Sequence, residues 1–266
     1  MTNFLTVDLE EWFHVGEDFI PEGRWAGLPS RVERNVADLL DLLDRHRVRT
    51  TFFVLGWVAE RHPVLVRRVR DSGHSIASHG YSHRLAYRLT PSDFEEDLER
   101  SARVLEAITG NRPKGYRAPR WSLGRGASWA FPLLARRGFT YDSSLAPCPF
   151  IGNPEFPREP HVIGENGALM REYPVLAGDL GVRGTLLGGG WALRLLSLSI
   201  LFDAVEAMNA RGAPALLNIH PWELDPDPPR HDLPLLPRFV HYAGLRGFPD
   251  RLREILRHLP LAPIPE

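Results

Sequence analysis

Apolar positions along the chain alternate between two rhythms. Short β-branched or hydrophobic runs at residues 3–7, 50–55, 74–77, 115–117, 139–142 and 215–219 read as strands. Between them the apolar spacing is helical. Residues 31–46 set Val32, Val36, Leu39, Leu40 and Leu43 on one face, and 58–70 is amphipathic until Ser72-Gly73. Thr90-Pro91-Ser92-Asp93 reads as an N-cap followed by proline at the first helical position. That helix runs to about Thr109, where Gly110-Asn111-Arg112-Pro113 ends it, and 127–137 predicts another. The β-α-β-α-β-α order predicts an α/β fold with a parallel sheet or barrel.

Beyond Asp142 the rhythm loosens. Residues 145–168, rich in Pro, Gly and Asn, predict a long irregular loop. Order returns with 169–173, a helix over 195–209 and the strand at 215–219. A proline-rich stretch from Pro221 to Pro237 then precedes a final helix around 250–258. No internal repeat or linker interrupts the chain, so one domain spanning 1–266 with a decorated C-terminal half is expected.

Composition narrows the function classes. With 266 residues and 43% hydrophobic positions, the chain has enough apolar surface for a substantial core. A net charge of -1 leaves no basic excess to neutralise phosphates, so nucleic acid is not an expected partner. Cys148 is the one cysteine, which excludes an intrachain disulfide. Met1-Thr-Asn-Phe-Leu-Thr has neither a basic n-region nor an apolar h-region, so the expectation is no signal peptide and a cytoplasmic location. The most apolar stretch, 186–202, carries Arg194. A central arginine costs about 2.5–3.5 kcal/mol on an insertion scale, so this stretch reads as a buried helix rather than a span. Peripheral membrane contact is the alternative for it.

The polar residues of interest follow the apolar strands. In Thr6-Val7-Asp8-Leu9-Glu10-Glu11, period-two alternation puts Asp8 and Glu10 on one face and turns Glu11 away. His79-Gly80-Tyr81-Ser82-His83 spaces two imidazoles i and i+4, which on a helical turn would let them chelate one cation. Gly80 stands where a zincin has its glutamate, so the base must come from elsewhere, with Asp8 or Glu10 as the supplier. Arg117 and His220 each end a strand. No Gly-x-Ser-x-Gly elbow is present for a serine hydrolase.

In this order the segments resemble the polysaccharide deacetylase (NodB-homology) family, carbohydrate esterase family four. The resemblance lies in Thr6-Val7-Asp8-Leu9-Glu10, Ser78-His79-Gly80-Tyr81-Ser82-His83, Arg117-Ala118-Pro119, Tyr141-Asp142-Ser143-Ser144 and Ile219-His220. Glu10-Glu11-Trp12-Phe13-His14 and His220-Pro221-Trp222-Glu223 resemble a subgroup tied to bacterial exopolysaccharide loci. The resemblance implies a distorted (β/α) barrel, a divalent metal that is usually zinc, and N-deacetylation of amino sugars. It departs at Leu9, where the family has a second, adjacent aspartate; Glu10 fits the members whose carboxylates stand two apart.

The mechanism expected on that basis is metal-assisted hydrolysis of an N-acetyl amide in a glycan or glycoconjugate. Glu10, His79 and His83 are the expected ligands, and Asp8 the base, oriented by Arg117. His220 is the expected acid, held charged by Asp142. Trp12, Trp121, Trp222 and Tyr81 are the expected saccharide contacts. The rivals are a metal-independent C–N hydrolase acting on a small cyclic amide or ureide, and a saccharide-binding pseudoenzyme.

Overall fold

The computed structural model describes residues 1–266 apart from Arg125, Phe150 and Asn166. Its first half is β1 (Asn3–Leu9), α1 (Val32–Arg45), β2 (Thr51–Val54), α2 (Gly56–Arg61), α3 (Pro63–Asp71), β3 (Ser75–Ser78), α4 (Pro91–Thr109), β4 (Gly115–Tyr116), α5 (Ala130–Arg136) and β5 (Tyr141–Asp142). The second half continues with β6 (His161–Glu165), β7 (Ala168–Glu172), β8 (Ala177–Gly178), β9 (Thr185–Leu186), α6 (Trp191–Leu195) and α7 (Leu198–Ala210). It ends with β10 (Leu216–Ile219), α8 (Leu235–Tyr242), α9 (Phe248–His258) and β11 (Leu261–Ala262).

The main sheet runs β10-β1-β2-β3-β4-β5-β7-β6, with β11 beside the start of β1. Every pairing in it is parallel except the β6–β7 hairpin. Between β7 and β10 the sheet closes only through irregular backbone. Leu176 N–H donates to Leu216 C=O at 3.0 Å and Asn218 N–H to Gly188 C=O at 2.6 Å. A Cβ at position 188 would lie 2.5 Å from the Leu216 oxygen, so only glycine permits this approach. The result is a curled, incompletely hydrogen-bonded sheet flanked by helices, a distorted (β/α) barrel.

Alternation along β1 sorts the two faces. Leu5, Val7 and Leu9 join Val36, Leu39 and Leu43 of α1 in the largest apolar cluster. Thr6 and Asp8 face the other way, onto Arg117. β2 is buried throughout, as a parallel strand covered on both faces must be.

Three expectations need correction. The helix predicted over 58–70 is two, because His62 leaves helical geometry (φ −125°, ψ 54°) and Pro63 opens α3. The apolar stretch 186–202 is not one buried helix. It passes from β9 through Gly188-Gly189-Gly190 into α6 and α7, which Leu196 and Ser197 separate, and the Ser197 side chain caps α7. Among the described residues no helix is long and apolar enough to cross a membrane. The predicted loop 145–168 is irregular only in its first part, since β6 pairs antiparallel with β7.

Candidate active site

Asp8 is the penultimate residue of β1, Glu10 lies just past it, and His79, Arg117 and His220 follow β3, β4 and β10. All five therefore stand at the carboxyl ends of parallel strands, where barrels of this kind gather their polar side chains.

Arg117 organises one side. It is buried against the Phe53 ring, 4.1 Å from the ring centroid. Nη1 donates to Asp8 Oδ1 at 2.8 Å, Thr6 Oγ1 at 2.9 Å and Asn218 Oδ1 at 2.5 Å. Nε and Nη2 donate to the Ser143 carbonyl and hydroxyl. Asn218 Nδ2 completes Asp8 by donating to Oδ2 at 2.9 Å. Burial alone would raise the Asp8 pKa, but Arg117, His79 and His220 outweigh it and hold the carboxyl below its usual range.

Glu10 organises the other side. Its Oε2 lies 2.8 Å from His83 Nε2 and 3.9 Å from His79 Nε2, and Trp222 Nε1 donates to its Oε1 at 3.2 Å. Burial is again overcome, here first by His83, so Glu10 stays ionised. Donor atoms of Glu10, His79 and His83 all fall within 4.8 Å of one another. His79 Nδ1 lies 2.8 Å from the Arg117 carbonyl, which turns Nε2 toward the carboxylates. Burial pushes His79 down to about 4, keeping it a neutral imidazole near pH 7.

The two histidines meet for a reason other than helical spacing. Residues 79–83 form a loop, with positive φ at Gly80 (71°) and His83 (54°). Asp97 on α4 holds that loop by accepting the Tyr81 and Ser82 N–H groups at 2.7 and 3.0 Å, along with the Ser82 hydroxyl.

His220 faces both carboxylates, with Nε2 3.8 Å from Asp8 Oδ2 and from Glu10 Oε1. Its side chain is 16% exposed, the most open of these groups. Burial, which lowers an imidazole pKa, is outweighed by Glu223 and then by Glu10 and Asp8, raising His220 to about 9. Glu223 lies 3.1 Å from His220 Nδ1 through Oε2.

The partner of His220 is therefore Glu223 rather than Asp142. Among the described residues no ion pair joins Asp142 to His220. Asp142 accepts the Ser144 N–H at 2.7 Å and its hydroxyl at 2.8 Å, and it stands in register with Glu172. Three aromatic expectations change as well. Trp12 is buried and its indole donates to the Pro29 carbonyl. Tyr81 gives its hydroxyl to Glu60 and lies under Arg100, whose guanidinium is 3.5 Å from the ring centroid. Trp222 is buried against His220 and His241 and serves to hold Glu10. Trp121 is buried as well, its ring 6.0 Å from the Arg117 guanidinium, and its Nε1 has no hydrogen-bond partner among the described residues.

Glu11 turns away from the site, as alternation predicts. Its carboxylate accepts the N–H groups of Arg31 and Val32 and the Ser30 hydroxyl, at the start of α1. Three residues of the site, Asn218, Glu223 and Asp97, stand outside the expected ligands, acid and base. Asn218 is on β10 two residues before His220, which directly follows the strand, and Glu223 sits at capping-box spacing after it, so both left a local signal. Asp97 left none.

Two carboxylates and three imidazoles at the carboxyl ends of a curled parallel sheet define the class: a distorted barrel with a candidate metal centre. Residues 26–129 match the family model Polysaccharide deacetylase, and 143–265 match Domain of unknown function (DUF3473). A peptidoglycan deacetylase of Helicobacter pylori is 32% identical over 128 residues, which is 48% of this chain and 41% of that protein. A peptidoglycan deacetylase-like protein of Gibberella zeae is 36% identical over 113 residues, 42% of this chain and 32% of the relative. The matched region thus spans well under half of either relative's length. In fold, a family 4 carbohydrate esterase from Streptomyces lividans, solved with acetate, aligns with a TM-score of 0.51 at 17% identity, covering 98% of this chain and 91% of the other. Over residues 26–129 the chain is thus similar to the polysaccharide deacetylase family.

Proposed function

We propose that the protein is a metal-dependent N-deacetylase acting on an N-acetylated amino sugar in a glycan or glycoconjugate. The observation that carries this is the separation of duties around one buried point. Glu10, His79 and His83 converge within 4.8 Å, while Asp8 and His220 stand beside them with other partners. Donors on a tetrahedral zinc lie roughly 3.3 Å apart, given Zn–N bonds of about 2.0 Å, so the cluster needs only small adjustment. One carboxylate with two imidazoles is a catalytic zinc donor set, and zinc is the ion we assign. When bound, such a cation polarises the amide carbonyl and activates water.

The rest is the work of side chains. Asp8, held ionised by Arg117, accepts a proton from the attacking water. His220, charged at neutral pH, delivers a proton to the leaving nitrogen as the C–N bond breaks. The acetyl group leaves as acetate and the sugar keeps a free amine. Trp121, beside Arg117, is the aromatic side chain we assign to the sugar.

Asp8 and Glu10 precede the deacetylase match, and Asn218 and His220 lie in the second matched segment. On this reading both segments and the N-terminal strand make one catalytic unit over 1–266. Acetate release from N-acetylglucosamine oligomers, with chelator and with added zinc, tests it. Release that requires the cation supports the assignment. Chelator-resistant hydrolysis of a cyclic ureide would point to the metal-independent class, and saccharide binding without turnover to a pseudoenzyme.

A further inference from the structure

Arg194 is the one charged residue in the apolar stretch 186–202, and its side chain is buried. Its Nε lies 3.0 Å from Glu223 Oε1, and the two side chains are 1% and 0% exposed. Nη1 donates to the His241 and Ala243 carbonyls at 2.8 and 2.9 Å, and Nη2 to the Val240 carbonyl. The guanidinium thus closes the C-terminal end of α8 and sets its charge against one oxygen of Glu223, an ion pair without a hydrogen bond. The other oxygen accepts the His220 N–H at 2.8 Å and faces its Nδ1 at 3.1 Å.

A buried ion pair is expensive to desolvate, and an apolar pair of equal volume would often be as stable. The geometry here supplies a different use. An imidazole can rotate to exchange its two nitrogens, and only one orientation aims Nε2 at Asp8 and Glu10. Glu223 selects that orientation, and Arg194 keeps Glu223 from turning.

We propose that Glu223 and Arg194 are positioning residues for His220, pinning Nδ1–H so that Nε2 is the nitrogen presented to the leaving group. What the pinned imidazole is used for rests on the deacetylase reading; the pinning itself does not. In the step it serves, the Nε2 proton passes to the departing amine and leaves a neutral imidazole with Nδ1–H still on Glu223. The proton that Asp8 took from water then restores the charge. This gives a role to two residues of the segment matched to a domain of unknown function.

The test compares Glu223→Gln, Arg194→Met and the double variant, which leaves no unpaired buried charge, with the wild type. On an N-acetylglucosamine oligomer kcat should fall about 100-fold, the usual scale for a general acid, with KM within about twofold. On 4-nitrophenyl acetate, whose leaving group needs no proton, the loss should be at least about tenfold smaller. Equal losses on both substrates, or unchanged kcat on the amide, would overturn the proposal. A readout independent of turnover is the protected Nδ1–H resonance of His220 in ¹H–¹⁵N spectra, assigned by its loss in His220→Gln. It should vanish in Glu223→Ala; its persistence there, or its absence from the wild type, would also overturn the proposal. A wild type that releases no acetate but shows the expected resonance behaviour would sink the deacetylase reading and leave the pinning intact.

Discussion

Asn218 Nδ2 donates to Asp8 Oδ2 at 2.9 Å, so a side chain from β10 fixes the carboxylate of the neighbouring β1. With Arg117 on Oδ1, Asp8 is oriented by protein on both oxygens, whereas Glu10 directs Oε2 at two imidazoles. The two acids should therefore fail differently. Asp8→Asn is expected to retain zinc and lose about 10²–10⁴-fold in acetate release, the scale for a lost general base. Glu10→Gln is expected to lose zinc. Metal content per chain, measured beside turnover, checks both, and the reverse pattern would exchange their roles.

That Asp8 and Glu10 share one side while Glu11 points to α1 is legible in the sequence, because period-two alternation carries through the end of β1 without a bulge. The histidine pair is legible as a pair but not in its conformation. A loop held by Asp97 brings His79 and His83 together, and an acid 14 residues beyond His83 leaves no local pattern. The partner of His220 is hidden for a related reason. Motif order nominates Asp142, but β5 turns that carboxylate toward Ser144 and Glu172, while Glu223 arrives through the short turn that follows His220. Periodicity likewise finds the parallel strands and misses β6, which pairs antiparallel with the strand that directly follows it.

Glu11 serves α1 rather than the metal centre. Its carboxylate satisfies N–H groups that the first turn of a helix leaves without intrahelical partners. Glu11→Ala should cost about 1–3 kcal/mol of stability, as buried donors lose their acceptor. Thermal melts should show the loss while zinc content stays at the wild-type level. A fall in zinc with unchanged melting would place Glu11 in the site.

Asp97 acts on the metal ligands through the loop. A Cβ at Gly80, which also has positive φ, would lie 2.9 Å from Asp97 Oδ2. Asp97→Ala should release the Tyr81 and Ser82 N–H groups and let His83 drift. Zinc affinity, titrated into apo-protein, is expected to fall about 10–100-fold, the range seen when outer partners of metal ligands are removed. Gly80→Ala should weaken binding in the same direction. Unchanged affinity in both variants would show that His83 is held by its own packing.

The buried carboxyls Asp142 and Glu172 face each other in register across β5 and β7, and this pair should impose a pH dependence on stability. Asp142 accepts two hydrogen bonds from Ser144, so the proton belongs on Glu172, whose pKa is raised well above its usual value by burial and then by the Asp142 charge. The folded protein thus keeps a proton that the unfolded chain releases near pH 4.5. Stability from this group is fully present below that pH and declines as pH rises toward the folded-state pKa. The slope is at most about 1.4 kcal/mol per pH unit for one proton. Glu172→Gln removes the titration, keeps an oxygen for the Leu145 N–H and supplies an amide donor for Asp142. Urea unfolding at pH 5, 6, 7 and 8 should show the variant gaining on the wild type at each step upward. Parallel curves across that range would mean that Glu172 is already ionised in the folded protein.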